Sequence, residues 1–146
     1  MSLGKARGGD VLALAGALSV VISLLLPWYE GSSSGTLDAW NSFGPSIVLL
    51  IAAAASALAM FLSALVERST ARAVAASVWA IPLGVAGLIA ALVRVLERPD
   101  HATGLCAGPW LALAGALILL AGAWRSVGDE RRGLYPPADP EPRPRP

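Results

Sequence analysis

From residue 46 to residue 66 the chain reads Ser-Ile-Val-Leu-Leu-Ile-Ala-Ala-Ala-Ala-Ser-Ala-Leu-Ala-Met-Phe-Leu-Ser-Ala-Leu-Val, with no charged side chain. At about 1.5 Å of rise per residue, a helix over this stretch is roughly 30 Å long, the thickness of a bilayer's hydrocarbon core. In lipid the backbone amides have no water to bond. Such a segment must satisfy them within itself or in a closed barrel, and its Ala and Leu content favours the helix. The rest of the chain agrees with a transmembrane reading: 55% of its 146 residues are hydrophobic and only 14% are charged. A chain of this length has room for several crossings joined by short loops and none for a separate soluble catalytic domain.

Three further apolar runs flank this one. The first helix is expected over 9–29: a polar start with Lys5 and Arg7 leads into an apolar run over 11–26 that closes on Pro27-Trp28-Tyr29. Trp28 and Tyr29 are expected at headgroup level, where amphipathic rings settle, to complete a run that is otherwise slightly short. A cleaved signal peptide is the rival reading of this start, and the bulky Pro-Trp-Tyr-Glu that follows the apolar run argues against it. Residues 30–44 read as a Ser/Gly-rich loop in which Trp40 and Phe43, three apart, form one turn on the membrane surface. Gly44-Pro45 opens helix two over 45–66, with proline where a missing N–H does no harm.

A tight polar connection, with Ser69 or Thr70 as N-cap, leads into helix three over 72–97, where Pro82 predicts a kink. Gly108-Pro109 then opens helix four over 109–125, bracketed by Trp110 and Trp124. Residues 126–146 form a cytoplasmic tail that ends in alternating proline and charge and reads as disordered. Its formal Pro-x-x-Pro offers a docking motif, but a solvated tail is the simpler expectation.

With four helices, Lys5, Arg7, Arg68, Arg72, Arg125, Arg131, Arg132, Arg143 and Arg145 fall on one side, and only Arg94 and Arg98 on the other. That asymmetry predicts both termini in the cytoplasm. The net charge of +1 provides no basic field for nucleic acid.

Catalytic chemistry finds little to work with. His101 is the single histidine, no Asp or Glu lies inside an apolar run, and Asp100, His101 and Cys106 share a loop without a second cluster to complete a metal site. The serines at membrane depth, Ser19, Ser23, Ser56, Ser63 and Ser77, read as small packing residues rather than nucleophiles. Arg94 is the one ionisable residue within a span and so the candidate functional charge. Lying about one turn from its helix end, it is expected to snorkel to the interface and pair with Glu97 or Glu30.

The most informative pattern is small residues at helical spacing: Ala15, Ser19 and Ser23 on helix one, Ala76, Ala80 and Gly84 on helix three, and Gly108, Gly115 and Gly122 every seven residues on helix four. In lipid the hydrophobic effect does not join helices, so close approach over small faces is the main source of association.

Leu-Leu-Leu-Pro-Trp-Tyr at 24–29, the following loop with Ala39-Trp40 and Phe43, and the last helix from Gly-Pro-Trp-Leu-Ala to Gly-Ala-Trp-Arg resemble a group of small four-helix membrane proteins of actinobacteria. The resemblance implies a bacterial plasma-membrane protein and carries over no activity. The tryptophans after helix one are also similar to those of claudin-like proteins, but the cysteine pair and long sheet-forming loop of that family are missing.

The expected fold is therefore all-α, an integral membrane four-helix transmembrane bundle of two antiparallel hairpins over 1–125. The expected role is a non-enzymatic structural or accessory subunit, without metal or cofactor, that packs in the bilayer against itself or another membrane protein. A small solute transporter, channel or sensor is the alternative.

The charge asymmetry puts Cys106, the only thiol, in an outer loop. A membrane-impermeant maleimide added to intact spheroplasts should label it. Labelling that requires permeabilisation would reverse the topology.

Overall fold

The computed structural model describes residues 8–31, 35–40, 44–66, 70–99 and 102–134. Its elements, in chain order, are α1 (Gly8–Leu25), β1 (Pro27–Gly31), β2 (Thr36–Asp38), a 3₁₀ turn (Gly44–Ser46), α2 (Ile47–Val66), α3 (Thr70–Leu96), β3 (Ala102–Leu105) and α4 (Ala107–Leu134). The class is all-α with four helices, and α1, α3 and α4 each contain a segment long and apolar enough to cross a membrane. In α2 the shorter stretch Ile47–Ser63 is the apolar part among the described residues.

The exterior is apolar: Leu18, Ile22, Val48, Val78, Ile89 and Leu117 all point outward. A water-soluble monomer rarely exposes so continuous an apolar surface, whereas lipid requires one.

Helix α1 packs most extensively on α4 and α2 on α3, while α3–α4 and α1–α2 contacts close the ring. The dominant pairing thus joins the first helix to the last rather than sequence neighbours, and the reason is glycine. A Cβ added at Gly16 would strike the backbone N of Leu119, and one at Gly122 the backbone N of Ala13. At Gly115 it would lie 2.9 Å from Gly16 O and Val20 N. Gly9 and Gly16 on α1 therefore mesh with Gly115 and Gly122 on α4, running antiparallel with the same spacing of seven. Gly108, the third member of the α4 series, leaves room for the Trp28 ring, whose Cδ1 would lie 2.6 Å from an added Cβ.

Three helix boundaries and the connecting segments differ from the sequence expectation. Helix one stops at Leu25 rather than 29, because the chain turns at Leu26 and enters β1. The segments after α1 and before α4 are not irregular: β1 lies at the centre of a three-stranded antiparallel sheet of order β2-β1-β3. Proline at the first position of β1 costs the ladder little. Helix two is preceded by the 3₁₀ turn, where Gly44 adopts φ +53°, a left-handed conformation that glycine enters without a Cβ penalty. Helix four runs on to Leu134, so residues 126–134 of the expected disordered tail are helical, while 135–146 lie outside the described residues. Arg125, Asp129, Glu130 and Arg131 are polar by hydropathy but compatible with a helical backbone. Helix α3 is unbroken from Thr70 through Pro82, whose ring is exposed.

The glycine mesh makes a direct prediction. Gly115→Ile should destabilise the protein by about 1–3 kcal/mol, since the new side chain meets backbone that cannot yield. Leu117→Ile, on the exposed side of the same helix, should leave stability within experimental error. Thermal melts in mild detergent compare the two, and equal midpoints would show that the meshed contact contributes nothing.

Candidate functional site

The side-chain hydrogen bonds that join different elements of the described chain gather at the two ends of the bundle. At the sheet end, Trp28 and Tyr29, the expected headgroup-level anchors, are both fully buried within the protein. Consecutive strand residues normally face opposite ways. Here the pairing register shifts between Pro27 and Tyr29, and both rings turn inward with centroids 6.4 Å apart.

Each ring caps a different helix. The last carbonyls of a helix have no partner within it. Trp28 Nε1–H donates to Ser23 O near the end of α1 at 2.7 Å, and the Tyr29 hydroxyl donates to Arg94 O near the end of α3 at 2.6 Å. The backbone of the same strand is clasped by β3: Cys106 N–H donates to Trp28 O at 3.0 Å, and Thr103 Oγ1 donates to Glu30 O at 3.1 Å. Arg94, half-buried, extends its guanidinium to Ser46 Oγ, with Nε at 3.3 Å and Nη2 at 3.2 Å. The side chain expected to snorkel thus bonds the turn that precedes α2, while its own carbonyl receives Tyr29. One residue connects α3, β1 and the entry to α2.

At the opposite end, the Asp10 carboxylate accepts a 2.6 Å hydrogen bond from Ser126 Oγ, and both residues are buried. Asp10 sits in the first turn of α1, where a negative charge meets the positive end of the helix dipole. It belongs to the polar start in a hydropathy reading, and nothing local in the sequence marks it as buried.

The small residues divide. Ser23, Ala80, Gly84, Gly115 and Gly122 are buried at helix contacts, with Gly84 against Leu119 and Leu120 of α4. Ser19 contributes its Cβ to the Gly115 contact, but Ala15 lies on the exposed side of α1. The packed face runs instead through Gly9, Ala13, Gly16, Ala17 and Val20, because the α1 face is set by where α4 backbone can approach. Gly9 and Gly16 were legible as a second seven-residue glycine pair. Gly87, which faces Ala53 of α2, had no comparable signal. Ala76 belongs to α3, with its side chain outside the described residues.

Trp40, Trp110 and Trp124 are exposed, as is Trp79, which the sequence reading did not single out. The hydroxyls of Ser19, Ser23, Ser56 and Ser63 bond to carbonyls of their own helices. Asp100 and His101 lie outside the described residues, and among the described ones no three His, Cys, Asp or Glu side chains cluster to hold a metal.

This chemistry is that of a clasp: donors on one strand satisfy helix ends. Burial pushes the Tyr29 hydroxyl above its ordinary pKa of 10.0, partly offset by the nearby Arg94 and Arg98 cations. A folded-state value above the unfolded one means that the contribution to stability is complete below pH 10 and declines as pH rises towards the folded value. Tyr29→Phe should therefore lower stability by about 0.5–1.5 kcal/mol at neutral pH by removing the hydrogen bond to Arg94 O. It should also flatten the alkaline decline of the wild type, and parallel pH–stability curves would refute the clasp. No family model, curated protein or solved structure matches this chain.

Proposed function

We propose that this chain is a non-enzymatic multi-pass protein of the bacterial plasma membrane. In this reading it crosses four times as two hairpins with both termini in the cytoplasm, and it acts as a structural or accessory subunit by packing against itself or another membrane protein. The observation that carries the reading is the backbone-to-backbone contact of α1 and α4 at Gly16, Gly115 and Gly122, which fills the space a solute path between these helices would need. Arg94, the main support for a transporter, channel or sensor, is engaged in bonding Ser46, an architectural role. The buried carboxylate of Asp10 is likewise engaged with Ser126. A fourth crossing by α2 is supported by its uncharged run over Ile47–Val66.

In native membranes, rapid crosslinking followed by native electrophoresis should place the 14.9 kDa chain in a species larger than a monomer. In proteoliposomes it should add no ion or small-solute permeability to that of lipid alone. Saturable, solute-selective flux would establish the transport reading, and a strictly monomeric chain at native abundance would rule out the subunit role.

A further inference from the structure

The contacts between helices bring arginines from distant parts of the chain to one end of the bundle. Gly84 of α3 lies against Leu119 and Leu120 of α4, and these two helices run in opposite directions. Arg72, twelve residues before Gly84, therefore comes level with Arg131 and Arg132, twelve residues after that leucine pair. Arg125, which is exposed, belongs to the same end and precedes Ser126, the partner of Asp10. Helix α1 adds to the group. Gly9 lies against Ser126, and the chain, outside the described residues, carries Arg7 directly before Gly8 and Lys5 two residues earlier.

Acidic residues at this end are fewer. Asp129 and Glu130 lie on α4, Glu67 and Arg68 offset each other in the connection between α2 and α3, and Asp10 is buried against Ser126. At the sheet end the balance reverses, with Arg94 and Arg98 among Glu30, Asp38, Glu97 and Asp100. The molecule is positive at one end and negative at the other.

The uncharged runs set the depth of these cations. Arg72 closes the run 73–93 on α3, and Arg125 closes the run 107–124 on α4. From Arg125 to Arg132 the group covers about 10 Å along the axis, one Debye length at about 0.1 M salt. Phosphates of the adjoining leaflet begin at this depth. Five of the six cations, Lys5 being the exception, are arginines. A guanidinium can direct two parallel donors at one phosphate, and it keeps its charge throughout the physiological pH range. A zwitterionic headgroup brings its own cation to compete for that phosphate, whereas an anionic phosphodiester headgroup brings none.

We propose that this end of the bundle binds anionic phospholipids, whose headgroup phosphates bridge α3 and α4 between Arg72 and the Arg131–Arg132 pair. The inference rests on the membrane-spanning reading above and names lipid as a partner within it. Clusters of Lys and Arg just outside a membrane span attract anionic lipid in this way.

The wild type and an Arg72→Gln/Arg131→Gln/Arg132→Gln variant are reconstituted in dioleoyl phosphatidylcholine vesicles that contain brominated phosphatidylcholine or brominated phosphatidylglycerol. Lys5, Arg7, Arg68 and Arg125 remain in the variant, so the charge asymmetry that orients the chain persists. Quenching of the exposed tryptophans, Trp79 and Trp124 at this end among them, reports relative lipid binding constants. The wild type should favour phosphatidylglycerol by roughly threefold or more at about 0.1 M salt and lose the preference at about 1 M. The triple variant should lose most of it at low salt, while Arg98→Gln at the sheet end should keep it. Arg125→Gln, a single change at an exposed position, should lose part of it and decides the matter if the triple variant does not fold. No preference in the wild type, or a preference that the variants at this end keep in full, overturns the proposal. A preference abolished by inorganic phosphate but not by chloride of equal ionic strength overturns it too, since the site would then take free phosphate. Absence of quenching by any brominated lipid would instead overturn the membrane-spanning reading itself, and the headgroup site with it.

Discussion

Everything in this bundle depends on the close approach of α1 to α4. Apolar side chains gain nothing from leaving lipid for another apolar surface, so helices in a membrane are joined by dispersion contacts at short range and by the hydrogen bonds that short range allows. Glycine at 9 and 16 on one helix, and at 115 and 122 on the other, removes every Cβ that would hold the backbones apart. Because the two pairs share a spacing, the helices fit in one register, and that register brings Asp10 to Ser126 at one end and Trp28 to Gly108 at the other.

The three-stranded sheet follows from that register. Once α1 and α4 are aligned, β1 and β3 emerge beside each other, and two residues of β1 bond carbonyls at helix ends. The Ser23 carbonyl receives an indole N–H as well as the Leu26 N–H, and the Arg94 carbonyl receives a phenol O–H. A three-stranded sheet this short would not be stable alone. It persists because the rings beneath it are buried and bonded, and because Arg94 joins the same layer to the start of α2.

Within the bundle the polar inventory therefore goes almost entirely into architecture. Four serines bond within their own helices, Asp10 is occupied with Ser126, and the Arg94 guanidinium reaches Ser46. Along the helices the outward surface is largely apolar and includes Trp79, Trp110 and Trp124, while Glu30, Glu97, Arg98 and Arg125 are exposed at the helix ends. The chemistry this exterior offers is addressed to lipid and to other helices, which is where the proposed function and the proposed headgroup site both lie.

By itself the sequence determined the apolar helical segments, their approximate bounds and the glycine series on the last helix, because hydropathy and helical spacing are local properties. Bounds such as Ile47–Val66 and Thr70–Leu96 lie within two residues of the expectation for that reason. Tertiary structure alone decided that the series on α4 meets α1, that Trp28 and Tyr29 turn into the bundle, that the segments flanking α1 and α4 pair as strands, and that Asp10 is buried. Each of these depends on partners far apart in the chain: Tyr29 with Arg94, 65 residues away, and Asp10 with Ser126, 116 residues away. A hydroxyl or an indole carries no sequence mark of which distant carbonyl it will satisfy. That choice is made only when two helices approach closely enough to leave the carbonyl without water.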